Sequence, residues 1–417
     1  MFGAPKPRSK LYTTLAMYRA IARDVLSGNF EVGPAVETFE AAIAAWTGKR
    51  HAIAVPMART GIHLATKALV RPGRKIVLSP YTISDVVNMV IAAGAVPVFA
   101  DIQTDTLNID AAEVERLVDD KTDAVLATHF YGLACDVARI GALCRERGIA
   151  LIEDAAQAFS SEIGGRHAGT FGDVGVFSFG MYKNVNTFFG GIVVTDCGDI
   201  AAKIRDAMRT MPPETLGHFL PKVASGLATD VLTSTPIFDL FTYWLFRWAY
   251  LNDVEALNNK VKVDLDPVLR RDLPPEYQGR MTETQARIAL DQLPRVTADT
   301  KARIAAAELY HAGLKDLNGI VLPPLRTDGS HTYSYYCIQV PDREALVRHA
   351  LRQGRDLTES HHKNCADMAC FREWARDCPR ARAAAASVVY LPTYPGYGRD
   401  EIEKTIAAVR GYFRDLA

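Results

Sequence analysis

Short apolar runs alternate with helical patterns from about residue 50 to residue 210. The runs HAIAVP, KIVLSP, VPVFADI, DAVLATH and IALIED are rich in β-branched residues and predict strands. Between several of them, segments such as TGIHLATKALV and DVARIGALCRERG repeat apolar residues at helical spacing. Strands that alternate with crossover helices predict a parallel or mixed sheet with helices on both faces. Ligands of such sheets bind at the carboxyl ends of the strands.

The pattern changes in residues 211–275, which we expect to be irregular apart from an aromatic helix, PIFDLFTYWLFRWAYL. Its apolar residues recur at steps of three and four and predict one apolar face, formed by Phe238, Phe241, Trp244, Leu245 and Trp248. We expect this helix to pack against the body of the protein or against a second subunit. Contact of residues 236–251 with a membrane surface is the alternative, which the small number of basic residues disfavours.

A second α/β pattern follows from about residue 283. The long helical stretch TETQARIALDQLPRVTADTKARIAAAELYHAGL is followed by HTYSYYCIQV, REALVRHALRQG, SVVYLP and RDEIEKTIAAVRGYFRDL, which alternate strand and helix. We therefore expect residues 1–282 to form an N-terminal arm and a large domain that carries the insertion at 211–275. Residues 283–417 then form a linking helix and a small C-terminal α/β domain.

Composition narrows the function classes. The 417 residues are 48% hydrophobic and 23% charged, which is typical of a globular protein, and 48 basic residues balance 48 acidic ones. No overall field favours nucleic acid. The 7 cysteines are scattered, without zinc-ligand spacing or a disulfide pattern, and we expect no metal site. With no signal-peptide pattern and no apolar run of about 18 residues, we expect a cytoplasmic protein.

Two charged residues are candidates for chemistry. Asp154 ends the buried run IALIED, where a carboxylate needs a cationic partner or hydrogen bonds, or else caps the next helix. Lys183 follows the apolar run VGVFSF; it is either a solvated residue or an amine whose pKa is lowered by apolar surroundings. Such an amine forms Schiff bases with carbonyl groups. A lysine and an aspartate in one pocket are the combination expected for pyridoxal phosphate (PLP), whose ring nitrogen the aspartate keeps protonated.

These residues lie in segments that carry a family resemblance. EDAAQAF, GTFGDVGVFSF and KNVNTFFGGIVVT resemble the Asp-to-Lys segment of the DegT/DnrJ/EryC1/StrS family, the PLP-dependent nucleotide-sugar aminotransferases. Nearly the whole chain outside 211–275 is covered, in order, by SGNFEVGPAVETFEAAIAAWTGKRHAIAV, GAVPVFADI, HFYGLACD, GRMTETQARIALDQL and SVVYLPTYPGYGRDEIEKTI. The resemblance implies the aspartate aminotransferase fold (fold type I), with a large mixed-sheet domain and a smaller C-terminal α/β domain.

The resemblance also implies roles around the cofactor ring. Lys183 would carry PLP as a Schiff base and move the proton of the reaction, and Asp154 would pair with the pyridine nitrogen. Gln157 matches the position that contacts the 3′-oxygen of PLP. Many members have an aromatic residue against the ring where this chain has Ile83. An aliphatic side chain must therefore cover that face, or Tyr81 must contribute.

The phosphate of PLP would be bound at a second group of residues. Ser178 matches a phosphate ligand, and the backbone N–H groups of Arg59 and Thr60 open a helix that would attract the anion. Gln278 and Arg280 match positions that reach the phosphate from a neighbouring subunit. The resemblance thus implies a homodimer with shared active sites.

Substrate contacts are less defined by the sequence. Phe188 and Phe189 stand where the family often has Gly and Glu, and we expect them to alter the substrate opening. Several histidines lie in regions that in this family approach substrate, although a hydrogen-bonded structural role is the alternative for each. The candidate substrate contacts are Tyr81, His129, Phe188, Phe189, His331 and His361.

The resemblance implies a ping-pong transfer of an amino group from a donor such as L-glutamate to a ketosugar, which is most simply nucleotide-linked. Such a reaction serves the synthesis of surface polysaccharide, lipopolysaccharide or natural-product sugars. Related sugar dehydratases carry histidine in place of the lysine, so Lys183 argues against that branch. Two alternatives stay open: an aminotransferase acting on a carbonyl compound that is not a nucleotide sugar, and a non-catalytic binding or regulatory protein.

Overall fold

The structure, a computed structural model, describes residues 5–258 and 266–416. Each of the five apolar runs predicted to form a strand in the first half of the chain does form one. The strands are β1 His51–Val55, β2 Lys75–Leu78, β3 Tyr81–Thr82, β4 Val96–Phe99, β5 Thr122–Thr128, β6 Ala150–Asp154, β7 Glu162–Ile163, β8 Arg166–His167, β9 Val174–Ser178, β10 Gly191–Thr195, β11 Tyr336–Gln339, β12 Thr358–Glu359, β13 Lys363–Asn364 and β14 Val388–Leu391.

Helices occupy the connections. Those of the large sheet include both segments predicted from helical spacing. Several helices of the chain begin at a capping side chain, such as Asp136 before Val137–Arg147 and Thr282 before Glu283–Leu290. The helices are α1 Leu15–Leu26, α2 Ala35–Thr47, α3 Ala58–Leu69, α4 Ser84–Ala92, α5 Ala111–Leu117, α6 Val137–Arg147, α7 Gly198–Thr210, α8 Leu216–Leu232, α9 Thr235–Ile237, α10 Tyr243–Leu251, α11 Glu255–Asn258, α12 Glu283–Leu290, α13 Val296–Leu314, α14 Arg343–Arg352, α15 Pro379–Ser387 and α16 Arg399–Leu416.

Within the described residues, seven of these strands form one mixed sheet in the order β1-β10-β9-β6-β5-β2-β4. Pairing is parallel from β9 to β4, whereas β10 runs antiparallel to both of its neighbours. The central strands are buried on both faces, which explains why they read as nearly continuous apolar runs. This arrangement confirms the predicted mixed α/β sheet, and it brings the ends of β5, β6 and β9 to one edge.

The C-terminal part builds a three-stranded sheet, β11-β14-β12, with its own apolar core against α13, α14 and α16. It is also joined to the large sheet: β13 pairs with β3, so that Asn364 lies opposite Tyr81. Cys365, Phe371 and Tyr390 belong to the core cluster that covers the large sheet. The division of the chain near residue 282 stays a prediction, and the segment around residues 360–390 contributes to both cores.

Three sequence-based expectations need correction. Residues 211–275 are more regular than predicted, because α8 alone spans 17 residues and is followed by α9, a π-helical turn at Phe238–Thr242, and α10. The long helix predicted from residue 283 is instead two helices, α12 and α13, separated by a short 3-10 turn that contains Pro294. Proline cannot donate the backbone hydrogen bond that a continuous helix requires.

The third correction concerns the aromatic helix. Phe238 is buried, and so is Tyr243, which the predicted apolar face did not include; both pack into the core of the C-terminal sheet. The remaining members of the predicted face, Phe241, Trp244, Leu245 and Trp248, point outward with half or more of their surface exposed. The helix therefore contacts the body of its own chain through a different face. Among the described residues, no helix is long and apolar enough to cross a membrane.

Candidate active site

The edge formed by the carboxyl ends of the parallel strands collects the residues predicted to bind PLP. Strand β6 ends at Asp154 and β9 ends at Ser178, and the neighbouring β1 leads directly into the start of α3. Lys183 lies in the turn between β9 and β10 at the same edge. Crossover topology thus brings together positions that are widely separated in the sequence.

Asp154 is buried at the tip of its strand. Its Oδ1 accepts a hydrogen bond from the Ala156 N–H at 3.0 Å, and its Oδ2 accepts one from the Thr128 hydroxyl at 3.4 Å. Burial raises the pKa of Asp154, while the Ala156 N–H and the charge of Lys183 act in the opposite direction. A protonated ring nitrogen would supply the cationic hydrogen-bond donor that a buried carboxylate requires.

Lys183 faces the same space. Its backbone N–H closes a tight turn to the Gly180 carbonyl at 2.9 Å, and its side chain is partly buried. Burial lowers the pKa of Lys183 to about 8, helped by the positive charges of Arg303 and Arg59 and opposed by Asp154. A sizeable fraction of the amine is therefore neutral near pH 8, as a nucleophile requires.

Gln157 is held in one orientation. Its Oε1 accepts a hydrogen bond from the Tyr131 N–H at 3.0 Å, so its Nε2 points toward His362 Nε2, 3.3 Å away. An amide nitrogen only donates, so His362 Nε2 accepts and its proton is on Nδ1, which lies 3.1 Å from the Tyr131 hydroxyl and 3.0 Å from that of Tyr390. Burial, with the nearby charges of His361 and Lys183, keeps the pKa of His362 well below its ordinary value.

Tyr81 belongs to this hydroxyl network and Ile83 lies beside it. The Tyr81 hydroxyl is 2.8 Å from that of Tyr131 and 3.0 Å from Ser360 Oγ. Ile83 is the partly buried residue that precedes α4. The structure thus places Tyr81 within a network shared with the C-terminal part, while the role of Ile83 against the ring stays a prediction.

The start of α3 forms an anion cradle. The first-turn N–H groups of Ala58, Arg59 and Thr60 precede the first intrahelical bond, which the Gly61 N–H makes to Met57. Gly191 lies so close that an added Cβ would be 2.6 Å from the Ala58 nitrogen. The second glycine of the Gly-Gly pair therefore permits β10 to pass the helix start, which is available for a phosphate.

The side chains at this helix start have partners of their own. Arg59 Nη1 donates to Asp85 at 2.5 Å and to the Tyr277 hydroxyl at 2.7 Å, and the Thr60 hydroxyl donates to the Tyr277 carbonyl at 2.8 Å. The Arg59 side chain is therefore held by its ion pair with Asp85, and Arg59 contributes to the cradle through its backbone N–H. Together with Asp154, Gln157 and Lys183, the residues present fit PLP.

Two predicted histidines serve as buried structural groups. His129 Nε2 lies 3.0 Å from Glu153, and its Nδ1 accepts the Cys135 N–H at 3.0 Å. Although burial opposes it, hydrogen bonds from His129 and nearby backbone N–H groups hold the pKa of Glu153 below its ordinary value. His331 stacks on Tyr333 with ring centroids 3.6 Å apart, and burial lowers its pKa to about 3.

The remaining candidates lie in different surroundings. Phe188 and Phe189 are buried against Phe219 of α8, where they attach the insertion to the body, which differs from the expected lining of a substrate opening. His361 lies beside His362, with ring centroids 4.3 Å apart.

The two residues predicted to reach a neighbouring subunit lie outside this chain's own strand edge. Gln278 donates to the Leu273 carbonyl at 2.9 Å. Arg280 is exposed, and its charge acts on Glu31. This placement leaves their contribution to a second subunit a prediction.

Sequence reasoning missed the opposite wall of the site. A small cleft beside Tyr182, the chain neighbour of Lys183, is lined by Arg8, Ser9, Lys10, Tyr12, Tyr182, Arg303, Ser334, Tyr335, Thr393 and Tyr394. It joins the strand edge through Tyr182, the neighbour of Lys183, and through the Ser334 hydroxyl, which donates to the Gln157 carbonyl at 2.8 Å. A signal existed in the sequence: Arg303 occupies the buried face of α13 otherwise formed by residues such as Val296, Ala307 and Tyr310.

Comparisons with known proteins agree with this geometry. A sequence model of the DegT/DnrJ/EryC1/StrS aminotransferase family matches residues 16–214 and 258–410. The unmatched stretch between them, residues 215–257, contains α8 to α10 and most of α11.

Relatives extend over nearly the full chain. The spore coat polysaccharide biosynthesis protein SpsC of Bacillus subtilis is 31% identical over 395 residues, covering 92% of this chain and 91% of the relative. GDP-perosamine synthase of Vibrio cholerae is 26% identical over 397 residues, covering 91% of each. The crystal structure of DesV from S. venezuelae, in complex with a ketimine intermediate, superposes with a TM-score of 0.74 at 26% identity over 95% of this chain and 94% of DesV.

Proposed function

Because the chain belongs to the DegT/DnrJ/EryC1/StrS aminotransferase family, we propose that it uses PLP to transfer an amino group from L-glutamate to the ketone of a nucleotide-linked sugar. The observation that carries the proposal is the pair formed by Lys183 and Asp154 at the strand edge. A lysine whose pKa is about 8 and a buried carboxylate act on each other there. This is the arrangement that PLP-dependent transamination needs.

Each residue has a defined task. Bound PLP would act as the electron sink while the amino group changes carrier. The Asp154 carboxylate would keep a proton on the ring nitrogen, and the N–H groups at the start of α3, with Ser178, would bind the phosphate. Gln157, held by Tyr131 and His362, would direct its amide toward the 3′-oxygen.

Lys183 would hold and move the transferred proton at Nζ. Because burial and neighbouring charges bring its pKa to about 8, the amine can both accept and return a proton near neutral pH. Asp154 lies close enough to act on the charge of Lys183, so the proton carrier and the ring-binding residue are electrostatically linked.

The substrate class rests on the relatives. GDP-perosamine synthase is named for a nucleotide sugar and SpsC for polysaccharide synthesis, which supports a nucleotide-linked ketosugar for this chain. We further propose a homodimer in which Gln278 and Arg280 reach the partner's phosphate site, and a cytoplasmic location. The exposure of Arg280 is compatible with that contact.

The test measures the two half-reactions separately. The PLP-loaded protein is mixed with L-glutamate, and 2-oxoglutarate is quantified; the aminated protein is then offered ketosugars linked to GDP, UDP or TDP, and the same sugars without nucleotide. We expect 2-oxoglutarate from the first step and amino-sugar product only with a nucleotide-linked acceptor. Failure of every amino donor to yield its corresponding 2-oxo acid would contradict an aminotransferase, and equal turnover of nucleotide-free ketones would contradict the substrate class.

A further inference from the structure

The cleft beside Tyr182 contains a buried cation with an incomplete set of hydrogen-bond partners. Arg303 is 6% exposed. Its Nε and Nη2 donate to the Tyr12 hydroxyl at 3.0 and 2.5 Å, and its Nη1 donates to the Tyr333 carbonyl at 3.5 Å. Since each terminal nitrogen carries two hydrogens, one N–H on Nη1 and one on Nη2 remain for another acceptor.

None of these partners carries a negative charge. In the part of the chain that the structure describes, residues 5–258 and 266–416, no carboxylate lies within ion-pair distance of the Arg303 guanidinium. Asp299, one helical turn earlier on α13, pairs with Arg295 at 3.7 Å. A buried cation without an anionic partner is costly, so Arg303 is expected to gain its partner from a ligand.

The surroundings of Arg303 suit such a ligand. The guanidinium lines a small, partly open cleft. Lys10 adds a second cation to its lining, whereas Arg8 is paired with Asp356 at 2.5 Å. The Ser9 hydroxyl also lines the cleft, whereas the hydroxyl groups of Ser334 and Thr393 donate to the Gln157 and Tyr333 carbonyls.

We propose that Arg303 and Lys10 form an oxyanion-binding subsite in the cleft beside Tyr182, which binds a carboxylate or a phosphate group of the substrates. A guanidinium with free N–H groups suits either group, because both present paired oxygens. The ligand has two sources, the carboxylate of the amino donor and the diphosphate of the nucleotide sugar, which occupy the site in alternate half-reactions. The identity of these two sources rests on the proposed function.

The chain offers a matched control. Arg295 also contacts Tyr12, donating to its carbonyl at 2.7 Å with the guanidinium 5.2 Å from the ring centroid, but it is absent from the cleft lining. If Arg303 serves only to hold the N-terminal arm through Tyr12, Arg303→Met and Arg295→Met should have similar consequences. If it binds an anion, only Arg303→Met should weaken that binding.

The experiment is isothermal titration of the PLP-loaded full chain with 2-oxoglutarate and, separately, with GDP, UDP and TDP. Hydrogen bonds to a charged group contribute about 1.5–3 kcal/mol, so we expect Arg303→Met to weaken binding about tenfold or more and Arg295→Met to change it less than about twofold. Loss restricted to 2-oxoglutarate assigns the subsite to the donor, loss restricted to the nucleotides assigns it to the acceptor, and loss of both indicates a shared subsite. Unchanged binding in Arg303→Met, or equal loss in Arg295→Met, would overturn the proposal.

A second measurement on the wild-type chain does not depend on the folding of a variant. Arg303 lowers the pKa of Lys183, so an anion that binds Arg303 and offsets its charge should raise the pKa of Lys183. The PLP-free full chain is labelled with acetic anhydride over a pH series, with and without 2-oxoglutarate or GDP, and the Lys183 peptide is quantified by mass spectrometry. An upward shift of the labelling midpoint supports the subsite, and no shift at saturating concentrations of both compounds refutes it. Neither measurement requires turnover, so its result is distinguishable from failure of the proposed aminotransferase reaction.

Discussion

The two walls of the site are built in different ways. The cofactor wall takes Asp154, Gln157, Ser178 and Lys183 from one continuous stretch at the edge of the large sheet. The arm wall takes Tyr12 and Lys10 from the N-terminal arm, Arg303 from α13 and Ser334 from the segment before β11. One wall is assembled by local crossover topology and the other by contacts between distant parts of the chain.

The difference between the walls separates the residues of the chemical step from those of substrate binding. The cofactor wall contains the groups that hold a ring and move a proton, and a neighbouring buried layer, His129 with Glu153, supports the strand tip. The arm wall contains cations and hydroxyl groups that can bind a substrate. Substitutions in the cofactor wall should therefore reduce turnover, and those in the arm wall should mainly change substrate binding.

The largest effect is expected at Lys183. Lys183→Ala removes the amine that accepts and returns the proton, and loss of acid–base catalysis alone costs up to about 10⁴-fold. The rate of 2-oxoglutarate formation and the visible absorbance of lysine-linked PLP should both be lost. Lys203→Ala, which removes an exposed lysine of α7, is the control. If Lys183→Ala reacted with the amino donor at the wild-type rate, Lys183 would not be the catalytic amine. The distinction between the cofactor wall and the arm wall would then fail.

Asp154→Asn should have the next largest effect. The substitution keeps the shape but removes the charge that keeps the ring nitrogen protonated, and loss of one such electrostatic group typically costs about 10²–10³-fold in turnover. Asp196→Asn, at the opposite end of β10 where the carboxylate pairs with Lys49, should leave turnover unchanged. The measurement is the steady-state turnover rate of both variants. Equal turnover rates would show that Asp154 has only a capping role.

Lys183 offers a prediction that involves both walls. Its lowered pKa means that the amine is protonated below about pH 8 and becomes neutral above it, whereas an ordinary lysine becomes neutral near 10.5. Labelling of Lys183 in the PLP-free chain should therefore rise through about pH 8. Arg303→Met should move the Lys183 midpoint upward, because a positive charge that disfavours protonation is removed. A midpoint near 10.5 in the wild type would contradict the buried environment of Lys183.

The smallest effect is expected in the N-terminal arm. Tyr12→Phe removes the hydroxyl that accepts two hydrogen bonds from Arg303, a change worth about 1 kcal/mol, or about fivefold in an equilibrium constant. We expect KM to rise by about that factor for the substrate that Arg303 binds, with kcat little changed. Tyr18→Phe, whose hydroxyl bonds to Asp230, is the control. A fall in kcat with unchanged KM would place Tyr12 with the cofactor wall instead.

The elements of the cofactor wall follow from the sequence alone. Apolar runs gave β5, β6 and β9 because strands buried on both faces must be continuously apolar, and Asp154 and Lys183 stood out as charges at the ends of such runs. The family resemblance added Gln157 and Ser178. These positions follow from local patterns, and the order of strands and helices is enough to bring them to one edge.

The other features of the site depend on packing between distant segments, which no local pattern predicts. This packing joined Tyr81, Tyr131, Ser360, His362 and Tyr390 into one hydroxyl and imidazole network, and it turned Phe188 and Phe189 toward α8. It also exposed most of the aromatic face predicted to be buried, because Tyr243 and Phe238 provide the contact with the C-terminal core. The cleft around Arg303 likewise depends on segments almost 300 residues apart, from Tyr12 to Arg303. Periodicity reveals which side of an element is apolar, but the partner that a side chain meets is set by packing between distant segments.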